Sequence, residues 1–175
     1  MAAWDRAYLQ VYTGDGKGKT TAALGLALRA AGAGLRVFIA QFAKGTGTAE
    51  LASLGRFADL VTVRQYGRPG FIREAPTADD IAAARGGLRE AREAVASGRF
   101  DVVILDEANI ATHLGLITTE ELLEVADLAA GRVEIVITGR SADPRVIERA
   151  DLVTEMREVK HYHAKGVPAR RGIEH

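Results

Sequence analysis

YLQVYTGDGKGKTT, residues 8–21, carries a strand, a turn and a helix start in one short run. Leu9, Val11 and Tyr12 form an apolar run that reads as a buried strand. It breaks at Gly14-Asp15-Gly16-Lys17-Gly18, and Lys19-Thr20-Thr21 then opens a helix rich in alanine and leucine. Glycines let successive backbone N–H groups converge on an anion, and a helix N-terminus adds the positive end of its dipole. Lys19 supplies a point charge, and the Thr20 hydroxyl is a ligand for the Mg²⁺ (or Mn²⁺) that accompanies a polyphosphate. The spacing matches G-x-x-x-x-G-K-[ST] except at its first position, where Thr13 stands for glycine. Gly14, Asp15, Gly16, Lys17, Gly18, Lys19, Thr20 and Thr21 are therefore expected to line a nucleotide-phosphate site.

The composition around this run is that of an ordinary globular chain, 47% hydrophobic and 26% charged over 175 residues. That length suits one domain, 1–175, with a single core. The net charge is zero, which removes the electrostatic case for nucleic acid or an anionic membrane as partner. Cysteine is absent, so disulfides, thiolate metal sites and cysteine nucleophiles are excluded. Met1 to Arg6 has no apolar leader core, and no later run is long enough to span a bilayer. A cytoplasmic location is the expectation.

Downstream of the loop, Thr20 to Ala31 reads as a helix stopped by Gly32 and Gly34. Arg36 to Phe42 is a strand apolar on both faces, leading into the polar loop Lys44 to Thr48. A short helix from Glu50 to Phe57 and a strand from Leu60 to Tyr66 follow. Gly67 to Pro76 holds two prolines and two glycines, which forbid regular structure there. Thr77 and Asp79 are candidate caps for a helix from Ala78 to Ser97, with Ile81, Leu88 and Val95 on its buried side. Val102 to Leu105 is the most apolar strand and delivers Asp106-Glu107 at its tip. A helical turn over Ala108 to Leu116 precedes a helix from Glu120 to Ala130, capped by Thr118 or Thr119. Val133 to Thr138 is a fifth strand ending at Gly139-Arg140, Asp143-Pro144 starts a short helix to Arg149, and Leu152 to Met156 is a sixth strand. From Val159 onward the chain is basic and irregular. Strands alternating with helices after a phosphate loop predict a three-layer α/β fold of the P-loop NTPase (RecA-like) kind, with a mainly parallel sheet of about six strands.

An acidic tip after a buried strand is the second element of phosphate-loop enzymes, placed near Mg²⁺. Asp106 and Glu107 are the candidate metal ligands beside Thr20, on the expectation that the first and fourth strand tips lie side by side. The histidines, His113, His161, His163 and His175, have no metal-ligand spacing. Tyr66 and Phe71 flank the proline–glycine loop and either meet a flat ligand or cover the core. Arg170-Arg171 is a solvated pair or an anion clamp. These residues point to a protein that uses ATP or GTP with Mg²⁺, and they leave open what becomes of the nucleotide.

TGDGKGKTTAALGLALRAAG, FIAQFAKG, VVILDEAN, VITGR and ADLVTEMREVKHYHAKGVPARRGIEH together resemble the corrinoid adenosyltransferases, over almost the whole chain. The resemblance implies transfer of the 5′-deoxyadenosyl group of ATP to the cobalt of a reduced corrinoid, cob(I)alamin or a precursor such as cob(I)yrinic acid a,c-diamide, with release of triphosphate. It implies that Gly14 to Thr20 hold the triphosphate in a sense reversed from ordinary phosphate-loop enzymes. Lys19, Thr20 and Glu107 become the catalytic group, Glu107 being favoured over Asp106 for the metal. Phe71 is implied as the apolar residue that displaces the corrinoid's lower axial ligand. Where some members carry tryptophan two residues beyond that phenylalanine, this chain has Arg73, and the N-terminal extension of such members is short here. A homodimer and a reduced flavin or flavoprotein as electron donor are also implied. Two other readings share the phosphate loop: a small-metabolite kinase, against which stands the lack of an arginine-rich lid apart from Arg140 and Arg145, and a non-catalytic ATP-dependent switch.

Overall fold

Six strands form one sheet in which every neighbouring pair is parallel: β1 (Leu9–Thr13), β2 (Val37–Phe42), β3 (Val61–Tyr66), β4 (Val102–Asp106), β5 (Glu134–Thr138) and β6 (Leu152–Glu155). Their order across the sheet is β3-β2-β4-β5-β1-β6. The computed structural model describes residues 4–43, 49–67 and 75–174. Among the described residues, six α-helices connect or flank the strands: α1 (Lys19–Gly32), α2 (Ala49–Leu54), α3 (Ala78–Ala96), α4 (Ala108–His113), α5 (Thr119–Ala129) and α6 (Pro144–Arg149).

Strand alternation divides the apolar side chains between two layers of helix. Phe38, Ala40, Val103, Leu105, Ile135 and Ile137 face α3 and α5. Val37, Ile39, Ile104 and Val136 face the opposite way, onto Ala23 and Ala27 of α1. Both faces of the sheet are covered, which is why the central strands read as unbroken apolar runs. The three-layer α/β architecture of the phosphate-loop kind is the one expected. The sheet is parallel throughout.

Three local details differ from the sequence-based expectation. Gly32 lies within α1, and the helix is closed by Gly34, whose φ of +79° lets its N–H reach the Ala31 carbonyl. Thr77, not Asp79, caps α3, in a reciprocal box with Asp80; Thr118 does the same for α5 with Glu121. The first and fourth strand tips are not side by side, because β5 is inserted between β1 and β4.

Gly87 is a glycine inside a helix, and its reason is a close approach. A Cβ there would stand 2.5 Å from the Tyr66 ring, which also packs on Phe42 with ring centroids 6.0 Å apart. Tyr66 is thereby a core cover at the tip of β3, with its hydroxyl donating to Glu90. Gly87→Ala is expected to overpack this contact at a cost of about 1–3 kcal/mol. Thermal unfolding should report it as a midpoint lower by roughly 2–10 °C, and an unchanged midpoint would mean that the Tyr66 ring yields freely.

Candidate active site

Residues two apart along a strand share a face, so the face carrying Ile39 and Ile104 carries Gln41 and Asp106 at the strand tips. That is the α1 face, and α1 begins with Lys19 and Thr20 directly after the glycine loop. The Thr20 hydroxyl donates to Asp106 Oδ1 at 2.8 Å, spanning the inserted β5. Thr138, at the β5 tip, donates to the same oxygen at 2.7 Å and accepts the Glu107 N–H at 3.0 Å. Gln41 Nε2 donates to Asp106 Oδ2 at 3.0 Å. Asp106, Gln41 and Thr138 are completely buried. Of the two adjacent carboxylates, Asp106 is the one held on Thr20. Glu107, favoured on the resemblance, occupies the left-handed region (φ 60°) at the N-terminus of α4, and its negative charge acts on Lys19.

The glycine loop is tied down from both sides. Lys19 is buried and its ammonium donates to the carbonyls of Gly14 (2.6 Å) and Gly16 (2.7 Å). Burial, and after it the positive charge of Arg140, lowers the Lys19 pKa from its ordinary value. A cation so placed gains from any anion that enters. Gly18 stands at the N-cap of α1 with φ 116° and has no side chain to satisfy the helix N–H groups, and no acidic residue lies in the first turn. The helix therefore offers its N-terminal donors and positive dipole end without an internal acceptor for that charge.

Gly16 plays a different part from the one expected. Its N–H is bonded to the Met156 carbonyl at 2.7 Å, where the chain leaves β6. A Cβ on Gly14 or Gly16 would come within 2.6 or 2.7 Å of that same carbonyl. Both glycines are thus required by a crossing strand end. Lys17 is exposed and turned to the C-terminal tail, donating to the Ile173 carbonyl at 2.8 Å with the Glu174 carboxylate 4.0 Å away. Hydrogen bonds from Tyr162 and the Arg170 backbone hold the Glu174 carboxyl down at about 2. Arg170, half of the predicted solvated pair, lies over the Tyr162 ring, 4.8 Å from its centroid. Asp15 and Thr21 are exposed.

Phe71 and Arg73 lie outside the described residues, as does Lys44 to Thr48. No cluster of three or more metal-ligating His, Asp or Glu side chains occurs among the described residues, and none of their helices is long and apolar enough to cross a membrane. Sequence reasoning missed Gln41, Thr138 and the Met156 carbonyl. The only signal for the first two was a polar residue at or near the end of an apolar strand.

The family profile described as ATP:corrinoid adenosyltransferase BtuR/CobO/CobP matches residues 5–175. The chain belongs to that family. Its adenosyltransferase relatives include the Corrinoid adenosyltransferase of Pseudomonas aeruginosa, 38% identical over 172 residues, covering 97% of this chain and 84% of the relative. The Corrinoid adenosyltransferase CobA of Salmonella typhimurium is 35% identical over 178 residues, covering 100% and 89%. That of Escherichia coli is 34% identical over 174 residues, covering 98% and 87%. The match takes in the acidic tip, the β5 tip and the tail as well as the phosphate loop, and so favours the adenosyltransferase over the kinase and switch readings.

Proposed function

We infer that this transferase moves the 5′-deoxyadenosyl group of ATP to the cobalt of a reduced corrinoid, cob(I)alamin or a precursor, and releases triphosphate. The observation that carries the residue roles is the meeting of Thr20 and Asp106 at 2.8 Å beside a buried, doubly bonded Lys19. In the reaction the cobalt of the substrate gives its electron pair to C5′, and the bond between C5′ and the α-phosphate oxygen breaks with its electrons going to triphosphate. No protein base is needed. The chain supplies position and a site for negative charge.

Lys19 exchanges its two loop carbonyls for phosphate oxygens and stabilises the charge that grows on the leaving group. Gly14, Gly18 and the first turn of α1 with Thr20 and Thr21 contribute backbone donors, while Asp15 and Lys17 border the loop. A hydroxyl and a buried carboxylate are the hard oxygen donors that Mg²⁺ or Mn²⁺ takes, so Thr20 and Asp106 fit such an ion, with Glu107 adjacent. When bound with the nucleotide, that ion neutralises phosphate charge. Phe71, in the segment that follows β3 in sequence, is assigned to the lower face of the corrinoid, where an apolar side chain displaces the axial ligand. A homodimer, a reduced flavin or flavoprotein as donor, and a cytoplasmic setting complete the proposal.

Phosphorus NMR of ATP incubated with the protein and reduced cobalamin tests it. Triphosphate should appear in step with adenosylated product. ADP would instead point to a kinase, and unconsumed ATP to a binding switch.

A further inference from the structure

Gln41 stands between Ala40 and Phe42 near the end of β2 and is fully buried with them. An amide kept inside an apolar sheet has to find partners for both its ends, and here the partners fix its sense. A carboxylate only accepts, so the NH₂ of Gln41 must face Asp106, leaving Oε1 to face an amide donor. That donor is Gln65, whose Nε2 lies 2.9 Å from Gln41 Oε1. Strand register places the three directly opposite one another, Gln65 against Gln41 and Gln41 against Asp106. The chain of amides therefore runs straight across β3, β2 and β4, one side chain per strand. It occupies Asp106 Oδ2 (3.0 Å) and leaves Oδ1 to Thr20 and Thr138 (2.8 and 2.7 Å).

We propose that Gln41 is a positioning residue for the transfer reaction, holding the Asp106 carboxylate in the orientation that meets Thr20, with Gln65 holding Gln41 in turn. The inference rests on the reading of Thr20 and Asp106 as the magnesium side of the nucleotide site. Outer partners of a ligating carboxylate set both its direction and the affinity of the site. A neutral amide suits the task because it anchors one oxygen without cancelling the charge that the other presents.

Calorimetric titration of ATP into the full chain, once with Mg²⁺ and once with EDTA, separates the two levels of the argument. Mg²⁺ should tighten ATP binding by the unaltered protein, and Asp106→Asn should remove that gain; failure of either overturns the magnesium reading itself. With both results in hand, Gln41→Leu is expected to cut the Mg²⁺-dependent gain about 10-fold and to leave binding in EDTA unchanged. Gln65→Leu, at a partly exposed position, should reduce the same gain by a smaller factor. A gain left whole in both variants, or a loss equal with and without Mg²⁺, would make Gln41 a packing residue only. Should Gln41→Leu fail to fold, Gln65→Leu decides alone, and an undiminished gain there overturns the proposal.

Discussion

Lys19→Ala should lower turnover by about 100-fold or more, the scale of losing a charge partner of the transition state, with the far-UV circular dichroism unchanged. The side chain is buried and donates to the Gly14 and Gly16 carbonyls, so its removal withdraws a cation bound to the loop backbone at two points. The fold survives for a specific reason. Gly16 is still bonded through its N–H to Met156, and water can enter to serve the two carbonyls. The effect therefore falls on the leaving group. Its signature is a fall in kcat larger than the rise in the KM for ATP. Activity near that of the unaltered protein would take the loop out of the mechanism.

Asp106→Asn is the second large effect, and its direction can be traced atom by atom. Oδ1 must go on accepting from Thr20 and Thr138, so the new NH₂ takes the place of Oδ2, and Gln41 and then Gln65 turn their amides over to keep each donor on an acceptor. The exchange keeps the shape and loses the charge. The Mg²⁺ concentration for half-maximal rate is expected to rise about 10- to 100-fold, while thermal stability changes little. Glu107→Gln alters the carboxylate that is not held on Thr20 and should move the Mg²⁺ titration less. The reverse ranking of the two variants would give the metal side to Glu107.

The strand, loop and helix start of residues 8–21 were legible because each is written in consecutive residues: an apolar run, glycines, then Lys19 and helix formers. The Thr77 and Thr118 caps follow from the same local chemistry. Which of Asp106 and Glu107 meets Thr20 was not legible, since it depends on which face of β4 lies under α1, a fact of packing. Strand order was hidden too. β1 pairs with β5 and β6, partners more than a hundred residues away, and no local pattern encodes such a neighbour. Gln41 looked like one polar residue in an apolar strand until its register partners, Gln65 and Asp106, were beside it. The Met156 contact is made by a backbone carbonyl and so leaves no mark in side-chain identity.

The phosphate motif is synthesised well before the strands that brace it. β1 has no neighbour until β5 and β6 exist, and the turn at Gly16 has no brace until Met156 has been added. Parallel pairing over such separations requires closing long loops, which is slow. A nascent chain halted at Gly131 would carry every residue of the glycine loop, and Asp106 as well, but neither strand that flanks β1. On the ribosome, ATP therefore meets a braced binding loop only once β5, β6 and Met156 have emerged.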